Sequence, residues 1–175
     1  MRHRDAVALI ADAPLDRSAP TTWVDLGSGD GTFTLALADL LAPGSEVHAI
    51  DRDRAALTRT PRHPSVSIDT HVADFVVDAW PVPAVDGILM ANSLHYVSDQ
   101  RMFLRSCASR LTSRGVFLFV EYDTDRANPW VPYPVSRRTL TALFATWGAV
   151  ALLGTRPSAF RRSPLYAAVA RIDFA

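Results

Sequence analysis

The sequence predicts an α/β fold: a doubly wound, mostly parallel sheet of seven strands, with helices on both faces and a terminal antiparallel pair. First, apolar runs of strand length alternate with helical patterns between residues 21 and 122. Second, the run at 115–122 is almost continuously apolar, as in parallel strands that are covered on both faces. Third, the runs at 149–154 and 165–172 follow each other with only a polar linker between them, which is typical of an antiparallel pair.

The first half of the chain contains three predicted strands and three predicted helices. The strands are the apolar runs at 21–26 and 46–51 and the alternating run at 65–74. The helices are a short amphipathic stretch at 3–12, an apolar-faced stretch at 31–41 and a short segment at 53–59. Pro43-Gly44 ends the second helix, and Pro61 and Pro64 interrupt the chain before the third strand.

The second half continues the alternation. Strands are predicted at 85–92 and 115–122, and helices at 99–111 and 136–147. The segment 75–84 contains two prolines and predicts no more than one helical turn between the third and fourth strands. A loop rich in proline and aromatic residues, 123–134, follows the fifth strand.

Size and composition restrict the classes of protein. The 175 residues predict one domain, 1–175, without a separate cap. Lys+Arg and Asp+Glu number 18 each, so no overall field attracts nucleic acid or an anionic membrane. Cys107 is the single cysteine, which fits a reducing cytoplasm, and no apolar run approaches the roughly 20 residues that span a bilayer. We expect a cytoplasmic monomer or homodimer.

A glycine-rich turn, "VDLGSGDGTF" (24–33), lies between the first strand and the following helix, where nucleoside cofactors bind in α/β proteins. A phosphate-binding loop would end in Gly-Lys-Ser/Thr, and no lysine is present here. A dinucleotide fingerprint is G-x-G-x-x-G, but the third glycine of this turn, Gly31, comes one residue early. A hydrolase elbow, G-x-S-x-G, is absent too, because glycines flank Ser28 directly.

The turn resembles the first motif of the S-adenosylmethionine-dependent methyltransferases with a Rossmann-like fold. Four further segments, in the order and spacing of that family, extend the resemblance over about residues 20–172: "AIDRD" (49–53), "VADF" (72–75), "VDGILMANSLHYV" (85–97) and "LTSRGVFLFVEY" (111–122). The resemblance implies that S-adenosylmethionine is the cofactor and that the chain transfers its methyl group to a small-molecule acceptor.

The resemblance also implies the cofactor-binding residues, which are Asp25, Gly27, Ser28, Gly29, Asp51, Arg52, Asp74, Phe75 and Asn92. Glycines leave room for the amino-acid arm of the cofactor, and Asp25 places a carboxylate near its cationic groups. Asp51 would accept hydrogen bonds from the ribose hydroxyls, with Asp53 capping the next helix. Asp74 would accept from the adenine amino group, and Phe75 would pack against the ring.

Two residues are candidates for a general base. His95 follows the fourth strand, where the family has its active site, and its imidazole is chemically suited to take a proton. Glu121, with Asp123 and Asp125, lies at the end of the fifth strand, where open parallel sheets bind ligands. Structural roles remain open for His95 and for all three acids. The histidines and the single cysteine show no metal-ligand spacing, so we predict no metal site.

Trp130 and Tyr133, in the loop 123–134, are candidate substrate contacts, although pinning the loop to the domain is an equally good role for them. Arginines at 137, 138, 156, 161 and 162, near Phe160, indicate a solvated surface rather than a nucleic-acid site. Two other classes stay open: an NAD-dependent oxidoreductase, and a non-catalytic cofactor-binding or partner subunit.

Overall fold

One seven-stranded sheet forms the centre of the fold. The computed structural model describes residues 1–80, 82, 84–158 and 163–173. The strands are β1 (Thr22–Leu26), β2 (Glu46–Asp51), β3 (Ser67–Val72), β4 (Val85–Ala91), β5 (Leu111–Tyr122), β6 (Gly148–Arg156) and β7 (Leu165–Ile172). The helices are α1 (His3–Ile10), α2 (Thr32–Ala38), α3 (Arg54–Leu57), α4 (Gln100–Ala108) and α5 (Arg137–Phe144), with a 3₁₀ helix at Leu94–Tyr96.

The strand order is β3-β2-β1-β4-β5-β7-β6. Strands β1 to β5 pair in parallel, whereas β7 is antiparallel to both β5 and β6. The predicted fold class is therefore confirmed. The chain runs outward from β1 to β3 and then returns to place β4 beside β1, so the carboxyl ends of β1 and β4 adjoin at a topological switch point. Open α/β sheets bind their ligands at such points.

Each face of the sheet packs against its own pair of helices. On one face, α1 and α2 cover side chains that include Trp23, Leu89 and Leu118. On the other face, α4 and α5 cover a set that includes Ile88, Phe117 and Phe119. Because adjacent strand residues point to opposite faces, the continuous apolar run of β5 serves both layers. The sheet is thus held rigidly between two cores, with its carboxyl edge left for the site.

Strand β5 is longer than the sequence predicts. It begins at Leu111, which the sequence places in a helix at 99–111, and α4 ends at Ala108. Leu111 pairs with Val85, and the register then shifts before Gly87. The polar residues before Gly115 thus belong to an irregular strand rather than to a turn.

The connection between β3 and β4 agrees with the sequence prediction of at most one helical turn. Its backbone forms a single turn, in which the amides of Val77 and Asp78 donate to the Asp74 carbonyl. Pro81 and Pro83, which predicted this short connection, lie outside the described residues.

Candidate active site

The glycine turn follows β1 at the switch point, and its glycines have different functions. Gly27, Gly29 and Gly31 all have positive φ, at 77°, 57° and 80°. A Cβ on Gly27 would lie 2.6 Å from the Cβ of Ser93, and one on Gly31 would lie 2.8 Å from Thr60 Cγ2. A Cβ on Gly29 would meet no atom within 4 Å. The first and third glycines therefore permit close packing, while Gly29 presents bare backbone to open space.

A cavity of about 600 Å³ adjoins this turn. The predicted cofactor residues that line it are Asp25, Gly27, Ser28, Gly29 and Asn92, and Met1, Arg2 and Asp5 close it from the start of the chain. Three of its side chains have a buried oxygen without a hydrogen-bond partner: Asp25 Oδ1, Ser28 Oγ and Asn92 Oδ1. Buried polar atoms are almost always paired in folded proteins. The cavity therefore fits a ligand that supplies hydrogen-bond donors, as a cationic amino-acid arm does.

Asp25 is the most buried acid of this cavity, with no exposed surface. Thr34 Oγ1 donates to its Oδ2 at 2.6 Å. Burial raises the pKa of Asp25 to about 7; the Thr34 hydrogen bond opposes this change, and the negative charge of Asp51 adds to it. A cation placed beside the unpartnered oxygen would favour the ionised form.

Asp51 lies at the end of β2 and does not line the cavity. Its Oδ2 accepts from the Gly29 amide and its Oδ1 from the Asp53 amide, both at 2.8 Å. Each carboxylate oxygen has a second lone-pair position, so the side chain can still accept from a ligand. Asp53 caps α3 as predicted, because its Oδ1 accepts from the amides of Ala55 and Ala56.

The other predicted cofactor residues do not line the turn cavity, although the Phe75 ring lies close to the turn, where its Cε1 would be 3.1 Å from a Cβ on Gly27. Asp74 Oδ1 accepts from the Val76 amide at 3.0 Å, within the connection after β3. The ring of Phe75 packs edge-on against Phe103, with centroids 5.7 Å apart, and lines a separate cavity of about 390 Å³. Arg52 is exposed just before α3.

His95 and Glu121 form a buried pair, although 26 residues separate them in sequence. His95 Nδ1 lies 2.7 Å from Glu121 Oε2, and the His95 amide donates to Glu121 Oε1 at 3.2 Å. The two side chains are 2% and 0% exposed. A carboxylate can only accept from the ring, so a hydrogen bond to the Glu121 carboxylate requires the ring proton on Nδ1 and leaves the lone pair of a neutral imidazole on Nε2. This arrangement can orient an imidazole to take a proton.

A second cavity, of about 940 Å³, is lined by His95 and by Trp130 of the predicted substrate loop. It shares Asn92 and Tyr122 with the cavity at the glycine turn. Tyr133, the other predicted substrate contact, does not line it: its amide donates to the His95 carbonyl at 3.0 Å, and its ring is 45% exposed. The two cavities therefore meet at the carboxyl ends of β4 and β5.

The acids that follow Glu121 hold the loop 123–134 to α5. Arg137 Nε donates to Asp123 Oδ2 at 2.6 Å, and Ser136 Oγ donates to Asp125 Oδ1 at 2.7 Å. Arg138 also pairs with Asp125. Arg137 and Arg138 are thus neutralised by neighbouring acids, whereas Phe160, Arg161 and Arg162 lie outside the described residues.

Several residues of the second cavity carry no sequence signal that would single them out, namely Tyr96, Tyr122, Thr124, Arg126, Ala127, Asn128, Val131 and Ser163. Tyr122 is the last residue of the predicted strand 115–122, which also contains Glu121, and Arg126 lies in the loop that follows it; only this position near a strand end distinguishes them in the sequence.

The sequence model of a known family, described as "Methyltransferase domain", matches residues 24–117. This stretch includes the end of β1, the glycine turn, β2 to β4, His95 and the start of β5, and it exceeds half of the chain. The chain belongs to the methyltransferase domain family. No curated protein sequence shows a significant match. The resemblance seen in the sequence is confirmed.

Solved structures share the fold of this methyltransferase. The SAH complex of DhpI is 21% identical and superposes with a TM-score of 0.73, over 97% of this chain and 84% of that one. A SAM-dependent methyltransferase from Leishmania major is 20% identical, with a TM-score of 0.73 and coverage of 97% and 72%. YcgJ of Bacillus subtilis is 16% identical, with a TM-score of 0.68 and coverage of 99% and 100%.

Family membership decides between the enzyme classes that the sequence left open. A methyltransferase domain is not a nicotinamide oxidoreductase, and the missing third glycine of the dinucleotide fingerprint agrees with this. Because 918 solved chains match the structure of this chain, the fold is too widespread to specify the methyl acceptor.

Proposed function

We propose that this methyltransferase binds S-adenosylmethionine at the glycine turn and methylates a small molecule held in the cavity beside His95. The observation that carries the proposal is that the two cavities share Asn92 and Tyr122. A donor in one cavity and an acceptor in the other would meet at these side chains. DhpI, which has the same fold, was solved with SAH and also with SAM and HEP together.

The cofactor would lie along the switch point. Asp25, Ser28 and Asn92 have unpartnered buried oxygens for the polar amino-acid arm, and the bare backbone of Gly29 permits close approach. Asp51 would accept from the ribose hydroxyls with its remaining lone pairs, and Arg52 flanks it. Asp74 and Phe75 would hold the adenine, as the family resemblance implies.

Methyl transfer requires that the acceptor atom be positioned beside the methyl group. If the acceptor is a hydroxyl, one proton must also be removed from it. S-adenosylmethionine supplies a methyl group on a sulfonium, and the sulfur keeps the electron pair when the acceptor oxygen takes that methyl. His95 Nε2 would accept the hydroxyl proton, and Glu121 would hold the ring orientation and stabilise the imidazolium. Trp130 and the cavity walls would hold the acceptor near its reacting position.

A small-molecule acceptor fits the site better than a macromolecule, because the acceptor cavity is closed on one side by the loop 123–134. Arg137 and Arg138, just after that loop, are paired with acids, which does not favour nucleic acid. No helix among the described residues is long and apolar enough to span a membrane. We propose a single domain, 1–175, that acts in the cytoplasm as a monomer or homodimer.

The test combines calorimetry with S-adenosylmethionine and a turnover assay that detects S-adenosylhomocysteine over a panel of acceptors. His95→Asn and Glu121→Gln should reduce kcat by about 100-fold, the lower range for loss of a positioned base, while cofactor affinity stays near that of the parent. The loss should be larger for weakly acidic alcohols than for thiols, which need less help from a base.

His71→Asn, on the edge strand β3, is the matched control and should keep full activity. An equal loss for every acceptor, or a loss that matches unfolding by circular dichroism, would show that the His95–Glu121 pair is structural. Absence of cofactor binding by the parent would refute the proposed function as a whole.

A further inference from the structure

Aromatic side chains form much of the acceptor cavity. Tyr96, Tyr122 and Trp130 line it, and the Tyr96 ring lies 4.4 Å from the His95 ring, centroid to centroid. Tyr96 and Trp130 are 51% and 72% exposed although they are large apolar groups. Exposed aromatic surface around a cavity is typical of a binding site for a flat apolar ligand.

The same cavity contains one arginine among the described residues that line it, Arg126. Its neighbour Asp123 also lines the cavity, but both oxygens of that carboxylate bond Arg137. Asp125 is likewise bound by Ser136 and Arg138. Within the part of the chain that the structure describes, no carboxylate lies within ion-pair distance of the Arg126 guanidinium. A guanidinium in this position can bind a carboxylate through two hydrogen bonds.

His95 indicates which reacting group the ligand carries. Glu121 engages Nδ1 of His95, and the ring lines the cavity. An oriented imidazole base matches an acceptor that must lose a proton as it reacts, which is the case for a phenolic hydroxyl.

On the basis of the proposed function, we infer that the acceptor is a phenolic acid: its ring lies against Tyr96 and Trp130, its carboxylate binds Arg126, and its hydroxyl faces His95. The oxygen–methyl bond forms as the methyl–sulfur bond of the cofactor breaks, and the hydroxyl proton passes to His95 Nε2. The products are the aryl methyl ether and S-adenosylhomocysteine.

The experiment measures turnover and binding of four probes: 4-hydroxycinnamate, its uncharged amide, 4-aminocinnamate, and the cyclohexyl analogue of the hydroxy acid. The probes vary the charge, the acceptor atom and the ring one at a time. Binding is followed separately by quenching of tryptophan fluorescence, with Trp130→Phe to assign the signal. The variants are Arg126→Gln and its matched control Arg114→Gln, an exposed arginine near the opposite end of β5.

We expect 4-hydroxycinnamate to have the highest kcat/KM, about 10-fold above its amide, since a charge-assisted hydrogen bond contributes at least that factor. Arg126→Gln should remove this difference, mainly through KM, and Arg114→Gln should keep it. The amine and the cyclohexyl analogue should be poor acceptors of the parent enzyme.

Equal kcat/KM for the acid and its amide, or an unchanged preference in Arg126→Gln, would overturn the assignment of the anion. Preference for the amine or the cyclohexyl analogue would overturn the assignment of a phenolic hydroxyl as the methyl acceptor. Cofactor binding without methylation of any probe would overturn the acceptor class and leave the methyltransferase assignment standing. Absence of cofactor binding would instead refute the proposed function.

Discussion

Substitution of Asp25 by asparagine is expected to abolish a pH dependence of stability that the buried carboxyl creates. Burial raises the pKa of Asp25 in the folded chain to about 7, from its ordinary value of 3.8. Between these two values the unfolded state has released the proton and the folded state still binds it, so the free energy of unfolding falls as pH rises. About three pH units at 1.36 kcal/mol each give a loss of about 4 kcal/mol, complete just above pH 7.

Asparagine keeps the shape of the side chain and can still accept from Thr34, but it cannot ionise. The assay is urea unfolding of both proteins from pH 5 to pH 8. The parent should lose stability across this range relative to Asp25→Asn, and Asp30→Asn, an exposed acid of the same cavity, should behave as the parent does. Parallel curves for the parent and Asp25→Asn would refute the reasoning.

The same carboxyl links cofactor binding to pH. A cationic ligand beside Asp25 Oδ1 stabilises the ionised form, so binding below pH 7 should release a proton, and affinity should rise with pH up to about 7. Calorimetry in buffers of different ionisation enthalpy measures this proton release directly. In Asp25→Asn the release should vanish and the affinity should become independent of pH.

Three further substitutions test the remaining assignments. Asp51→Ala should weaken S-adenosylmethionine binding by about 1.5–3 kcal/mol, the range for charged hydrogen bonds, and calorimetry with NADH as the comparison ligand should show no similar effect; unchanged affinity would exclude a ribose contact. Asp74→Ala should lower the affinity for adenine-containing ligands while circular dichroism shows an intact fold, and unfolding without a selective binding loss would make the residue structural. Trp130→Ala, whose indole is 72% exposed, should lower kcat/KM for the acceptor far more than it lowers cofactor affinity, and equal activity would leave it as a loop anchor only.

The fold follows from periodicity, whereas the pairings within the site depend on register. The alternation of strands and helices predicted the mostly parallel sheet, because parallel strands need crossover connections. The contact between His95 and Glu121 could not be predicted, since it depends on how β4 aligns with β5 and on the 3₁₀ helix between them. The sequence likewise placed Asp25 just before the glycines of the turn but did not predict its complete burial, which results from the packing of α2.

The placement of single residues likewise depends on tertiary contacts that the local sequence does not show. Leu111 fits a helical face by spacing, yet it lies in β5, because pairing with Val85 competes with the helix for that residue. Tyr133 remains a candidate substrate contact, and the structure adds a contact that its residue type does not predict, because its amide donates to the His95 carbonyl. Residue type alone does not determine which part of a residue contacts its neighbours.

The way the loop 123–134 is fastened is expected to separate acceptor preference from cofactor binding. Asp123 and Asp125 fix its first residues to α5, and within it the Asn128 side chain accepts from the amides of Trp130 and Val131 to form a closed turn. Among the described residues, the cavity at the glycine turn and the cavity beside His95 share only the side chains of Asn92 and Tyr122. We therefore expect that the residues between these fastenings can be exchanged as one segment, and that such an exchange would change the acceptor without a change in the proposed cofactor site.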